Sequence, residues 1–134
     1  MSATVVDTNV LLDLFTNDPV WADWSLRQLD AALVRGRLII NDAIYAELSV
    51  GFSTIERLDQ LLENTKVLRT PLTRTALFLA GKAFRRYRAA GGVRTGVLPD
   101  FFIGAHAAVD GARLLTRDPR RYRTYFPTVE LVAP

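Results

Sequence analysis

The chain has no cysteine, a single histidine and only two lysines among its 134 residues. Without cysteine there is no disulfide framework and no thiolate metal site, and nothing argues for an oxidising compartment. With His106 alone, an imidazole-rich metal site is disfavoured, as is a metal-free ribonuclease built on an acid–base histidine pair. No apolar run reaches membrane-spanning length. The opening Met1-Ser2-Ala3-Thr4 lacks the basic segment and apolar stretch of a secretory signal. The expectation is a cytoplasmic protein with no membrane association. Repeats, low-complexity tracts and linkers are also missing, so the length corresponds to one domain with one core.

What is present is an ordinary globular composition, 49% hydrophobic and 23% charged. The net charge of +3 comes almost wholly from arginine, since the only lysines are Lys66 and Lys82. Arginine's planar fork suits bidentate phosphate contact. The balance permits a nucleic-acid partner without establishing one, and a genome rich in arginine codons would produce the same bias.

The segment Val5-Val6-Asp7-Thr8-Asn9-Val10-Leu11-Leu12 reads as a buried strand ending at Asp7, turning into a helix that carries Val10, Leu11 and Leu14. In an open α/β sheet, ligands bind beyond the carboxyl ends of the strands, where Asp7 would stand. The plainer reading makes Asp7 or Thr8 a helix cap. Asn17-Asp18-Pro19 signals a second helix running to Val34 or Arg35 and stopping at Gly36, with Ala22, Leu26, Leu29 and Leu33 facing the core. Its outer face, with Trp24 and Arg27, is expected to meet a partner chain. A second strand covers Arg37 to Asn41, and Asp42 is expected to cap the helix after it. Ser53 with Glu56 suggests a capping box for another helix. A short strand is expected at Lys66 to Leu68, and a long helix opens at Thr73 and ends at Gly91-Gly92. The stretch Gly91 to Pro99 is a loop by composition, delivering Asp100 to a helix that runs to Ala108 or Val109. Ala112 to Thr116 forms a fourth strand, Asp118-Pro119 starts a short helix, and Val129 to Val132 closes the sheet. Strands alternating with helices predict an α/β fold: one domain, a mainly parallel central sheet and helices on both faces.

Asp7 and Asp118 follow strands, Asp100 opens a helix, and Glu47 lies about a turn inside one. In a parallel sheet all four reach the same edge. Ala43, Gly51 and Gly104, each four residues from Glu47 or Asp100, are expected to leave room around those carboxylates. Like charges ~4 Å apart cost roughly 4 kcal/mol at an effective dielectric near 20, so such a crevice calls for protonation or a cation. Oxygen donors alone select magnesium or manganese, which lowers the pKa of a bound water and stabilises a leaving oxygen. Arg117, Arg120, Arg121 and Arg123 flank Asp118 and are candidates to grip substrate phosphates. His106 reads as a structural histidine.

Four stretches together resemble the PIN-domain nucleases, and among them the VapC-type toxins. They are the Asp7 segment, Ile44-Tyr45-Ala46-Glu47-Leu48, Pro99-Asp100-Phe101-Phe102-Ile103-Gly104-Ala105-His106-Ala107, and Leu114-Leu115-Thr116-Arg117-Asp118. The resemblance spans the chain and lies in their order and spacing. It implies a PIN-like domain over residues 1–134 and an acidic site of Asp7, Glu47, Asp100 and Asp118 that binds Mg2+, with Mn2+ able to substitute. It also implies endonucleolytic hydrolysis of RNA, with transfer RNA the class it suggests. Asn9 matches a polar position beside the first acid, and Thr116 a hydroxyl supporting the last. A homodimer and a cognate antitoxin protein are implied as partners.

Two other readings stay open. An aspartate-dependent phosphatase would use Asp7 as nucleophile, but asparagine stands at position 9 where Asp-x-Asp is required. A non-catalytic RNA-binding or scaffolding domain would use the acids only as caps. If they are caps, replacing each aspartate by alanine is expected to cost about 0.5–2 kcal/mol in a denaturation experiment. If they crowd a cation site, Asp100→Asn is expected to leave the metal-free protein equally or more stable.

Overall fold

The computed structural model describes residues 2–94 and 96–134; Thr95, within the loop read from the sequence, lies outside them. The elements run β1 (Ser2–Val6), α1 (Thr8–Phe15), α2 (Ala22–Arg35), β2 (Gly36–Ile40), α3 (Asp42–Ser49), α4 (Ile55–Asn64), β3 (Val67–Arg69), α5 (Arg74–Ala89), α6 (Leu98–Asp110), β4 (Arg113–Leu115), α7 (Arg120–Tyr125) and β5 (Leu131–Val132).

The five strands form one sheet in the order β3-β2-β1-β4-β5. Every pairing is parallel, with Val5 opposite Ile39 on one side and Leu114 on the other. Three consecutive residues are buried at the end of β1 and throughout β4. Burial without alternation means both faces of the sheet are covered, as a parallel sheet with helical crossovers requires. The chain moves outward from β1 through β2 to β3, then returns to place β4 on the other flank of β1. That reversal is the topological switch point, where the crossovers on either side diverge and leave a crevice. It falls between the carboxyl ends of β1 and β4, at Asp7 and Thr116.

Several local expectations shift by a residue or a face. Asn41, not Asp42, caps α3, accepting from the Ile44 amide at 3.0 Å. Thr54, not Ser53, caps α4 through the Arg57 amide. Both strong caps stand beside a second polar residue, and the extended backbone at Asn41 and at Thr54 brings those side chains to the free amides. Asp18 does bind the amides of Val20 and Trp21, each at 2.9 Å, but the bonds close a turn and α2 begins only at Ala22. The buried face of the helix also differs from the expected one. Ser25, Leu29 and Ala32 face the core, whereas Leu26 and Leu33 are exposed.

Ser25 faces inward because it has a partner. Its hydroxyl donates to Asp13 Oδ2 at 2.8 Å, and Arg117 grips the same buried carboxylate with two bonds of 2.6 and 2.9 Å. The guanidinium lies over the Trp21 ring, 5.1 Å from its centroid, and Trp21 packs edge-on against Trp24. Trp24 is therefore half-buried against its own core, not an outward anchor beside the exposed Arg27.

His106 is interior as well. Asn41 Nδ2 donates to its Nδ1 at 3.1 Å, so the ring proton sits on Nε2, facing Asp110 at 3.1 Å. Burial lowers its pKa, with Asp110 acting in opposition, and the ring ties the residue after β2 to α6.

Gly104 has a different role from the one expected beside Asp100. A Cβ at this position would lie 2.3 Å from the Phe126 ring, so the glycine admits an aromatic side chain to the core. Gly104→Ala is expected to cost about 1–3 kcal/mol by overpacking, measured as a lower urea midpoint with unchanged slope.

Candidate functional site

Asp7 is both cap and site. Its backbone is extended and its Oδ1 accepts from the Thr8 amide at 2.7 Å, opening α1. Its Oδ2 accepts from the Thr116 hydroxyl at 2.8 Å and the Tyr122 hydroxyl at 2.9 Å, with Asn9 Nδ2 more distant at 3.5 Å. The carboxylate is almost fully buried. Burial raises its pKa to about 6; the Thr116 bond opposes the rise, the charge on Asp100 adds to it, and the Tyr122 and Thr8 bonds oppose it.

The four acids read from the sequence line one cavity of about 270 Å3, together with Thr8, Asn9, Leu12 and Tyr122. Glu47 reaches it from α3, its Oε1 accepting from the Thr8 hydroxyl at 2.7 Å. Asp100 enters from the first turn of α6 and pairs through Oδ2 with Arg121 Nη1 at 2.6 Å. Its pKa is raised, chiefly by burial; the Arg121 bond and charge counter this, and the charge on Asp118 adds to it. Asp118 is the most open of the set. Its amide donates to Thr116 Oγ1 at 3.1 Å, so one hydroxyl holds the first acid and the turn that carries the last.

Arg117, Arg120 and Arg121 separate in role. Arg117 is spent on Asp13, so it does not stand as a phosphate ligand: the buried carboxylate holds it from two sides. Arg120 is exposed and only loosely near Asp118, at 3.4 Å. Arg121 spans from Asp100 to the Tyr87 ring.

Tyr122 is the residue that sequence reasoning missed. Its hydroxyl is buried, and its pKa lies well above the usual value because of burial and the neighbouring Asp7 and Asp100; it remains a donor. The available signal was the four-residue spacing of Tyr122 and Phe126, both buried, within an arginine-rich stretch. Thr8 was read only as a cap, yet it also fixes Glu47.

The donor set consists of oxygen, which fits a hard divalent cation. Among the described residues, no three of His, Cys, Asp and Glu stand close enough to hold a metal as they lie. Two of the acids are turned to internal donors, Asp100 to Arg121 and Glu47 to Thr8. The residues fit such an ion in chemistry and would have to exchange those partners to bind it.

The PIN-domain family profile matches residues 4–127. No curated protein matches the chain in sequence. Among solved structures, a chain of VapBC2 from Rickettsia felis, bound to a DNA fragment from the promoter, aligns with TM-score 0.77 and 18% identity over 98% of both chains. A chain of VapBC-1 from nontypeable Haemophilus influenzae aligns with TM-score 0.71 and 20% identity, over 98% of this chain and 97% of that one. A chain of a toxin–antitoxin complex from Klebsiella pneumoniae aligns with TM-score 0.71 and 19% identity, over 96% and 95%. At these identities the likeness is one of fold.

The raised Asp7 pKa has a consequence for stability. A carboxyl whose folded pKa lies above its unfolded value stabilises the fold below the unfolded pKa, and that contribution is lost as pH rises through the folded pKa. For Asp7 the window runs from 3.8 to about 6, corresponding to about 3 kcal/mol. In chelator, Asp7→Asn is expected to be more stable than wild type at pH 7.5, with the gain vanishing by pH 4. Urea unfolding at both pH values checks this.

Proposed function

The chain belongs to the PIN-domain family, and from that premise we propose that it is a metal-dependent endoribonuclease of the VapC type, the toxin of a toxin–antitoxin pair. The observation that carries the proposal is the meeting of Asp7, Glu47, Asp100 and Asp118 around one cavity at the switch point of the sheet. The Rickettsia felis, Haemophilus influenzae and Klebsiella pneumoniae neighbours come from VapBC or toxin–antitoxin complexes, which supports a small antitoxin protein as partner. A homodimer belongs to the same reading. Among the described residues, no helix is long and apolar enough to cross a membrane.

Asp7, Asp100 and Asp118, with Glu47, would hold Mg2+ or Mn2+. When bound, the ion supplies Lewis acidity toward phosphate oxygen and makes water a nucleophile near neutral pH. The chain does the rest. Thr116 and Tyr122 hold Asp7 in one orientation from two sides, and burial keeps its charge costly until a cation arrives. Asp100 is released as Arg121 turns from it to a substrate phosphate, for which its fork is suited. Glu47, held at the cavity through Oε1 by the Thr8 hydroxyl, would exchange that partner for the ion.

No observation favours the phosphatase. Asn9 Oδ1 accepts from the Arg117 amide at 3.1 Å, so position 9 joins two loops and carries no acid–base group. The purely capping reading accounts for Asp7 but leaves Glu47 unexplained.

Incubation of purified protein with total RNA, with manganese or with chelator, tests the proposal. Cleavage is expected only with manganese and is expected to leave 5′-phosphate ends; 2′,3′-cyclic phosphate ends would contradict it. Asp100→Asn is expected to reduce the rate by more than the roughly 100-fold typical of losing a group one layer outside the ligands. It should also abolish the manganese-induced rise in melting temperature, which in wild type corresponds to about 2.7 kcal/mol at a hundred times the dissociation constant.

A further inference from the structure

Beside the acidic cavity lies a second one of about 370 Å3 with the opposite character, lined by Arg94, Arg120 and Arg121 with Tyr87 and Tyr125. Asp118 borders both cavities. We propose, resting on the nuclease reading above, that this basic pocket is a subsite for the backbone phosphate next to the scissile one in single-stranded RNA. Three observations converge on it.

The first is a surplus of positive charge. Arg121 is paired with Asp100, and Arg120 approaches Asp118 only at 3.4 Å with most of its side chain in solvent. Among the described residues, no carboxylate forms a salt bridge with Arg94. Its backbone is nonetheless fixed, the amide donating to the Tyr87 hydroxyl at 3.3 Å, while the Gly92 amide bonds Tyr87 O at 2.9 Å. The loop thus carries a cation to a defined place without supplying an anion for it.

The second is the aromatic floor. Tyr87 and Tyr125 meet edge to face at 6.0 Å, and Arg121 lies 5.7 Å from the Tyr87 ring centroid. Arginine with aromatic rings is the combination that tracks single strands without reading sequence. The volume falls in the range of small-ligand sites, on the order of 300–1,000 Å3.

The third is the shared wall. A strand whose scissile phosphate sits among the carboxylates must run into the neighbouring cavity, and only a cavity of opposite sign suits its next phosphate. Arg121 stands at the junction. A phosphate in the basic pocket competes with Asp100 for it, so filling the subsite also frees the acid.

The test uses Arg94→Gln/Arg120→Gln, both exposed positions, with melting temperature confirming the fold. Binding of a fluorescent single-stranded RNA of about 10 nucleotides is followed in chelator across a salt series. The double variant is expected to bind about tenfold more weakly, and its salt dependence should be shallower by roughly 0.7 in log–log slope per arginine removed. Arg94→Lys/Arg120→Lys is expected to recover the slope. In manganese, KM should rise while kcat changes little, as for loss of uniform binding. Unchanged slope and KM in a variant that still cleaves would overturn the subsite and leave the nuclease reading intact. Absence of manganese-dependent cleavage by wild type would instead sink the nuclease reading. If the variant keeps its RNA affinity but loses binding to an acidic (polyglutamate) peptide, the pocket belongs to a protein partner and the subsite is rejected.

Discussion

The burial of one ionisable carboxylate at the junction of two strands organises this molecule. Asp7 leaves the sheet at the end of β1 with Oδ1 committed to opening α1, and its Oδ2 accepts from hydroxyls on the Thr116 turn and on α7. An uncompensated buried charge would be severely unfavourable; hydroxyl donors lower that cost without neutralising the group. The carboxylate is therefore held in geometry while remaining electrostatically unsatisfied. Asp100 is in the same condition to a lesser degree, since its ion pair with Arg121 does not outweigh its burial.

Around that centre the charges are sorted by position. Carboxylates gather at the switch point, and arginines gather one cavity away, with Asp118 and Arg121 on the boundary. Arginine at these sites is not interchangeable. Arg117 is built into the frame through Asp13 and Trp21, whereas Arg120 stays in solvent. Both lie in one short arginine-rich stretch, and the buried acid within reach decides their fates.

Much of this arrangement was legible in the sequence. The apolar run into Asp7, the strand–helix alternation and the spacing of the four acids led to a parallel sheet with its carboxylates on one edge. The length and start of α5 followed from Thr73 and the glycine pair. Legibility failed where a choice depended on tertiary partners. Hydrophobic spacing chose Leu26 and Leu33 for the core of α2, because nothing local reveals that Ser25 faces a buried aspartate. Small residues near Asp100 read as room for a ligand, but Gly104 makes room for Phe126. Tyr122 went unread since its partner lies 115 residues away, and no short-range pattern announces a hydroxyl aimed at a distant carboxylate.

That same separation has a bearing on how the protein comes into being. Asp7 is synthesised well before its partners: the β4 strand that flanks it and the hydroxyls that orient it belong to residues 113–122, and the Thr116 contact closes over 109 positions. Contacts of such long range form late, after the cost of closing the loop has been met. A nascent chain that has not yet extended past Leu115 has neither the Thr116 nor the Tyr122 hydroxyl on its first acid, nor Asp118 to complete the set. Whatever chemistry the hollow performs is thereby withheld until the chain has extended past Tyr122.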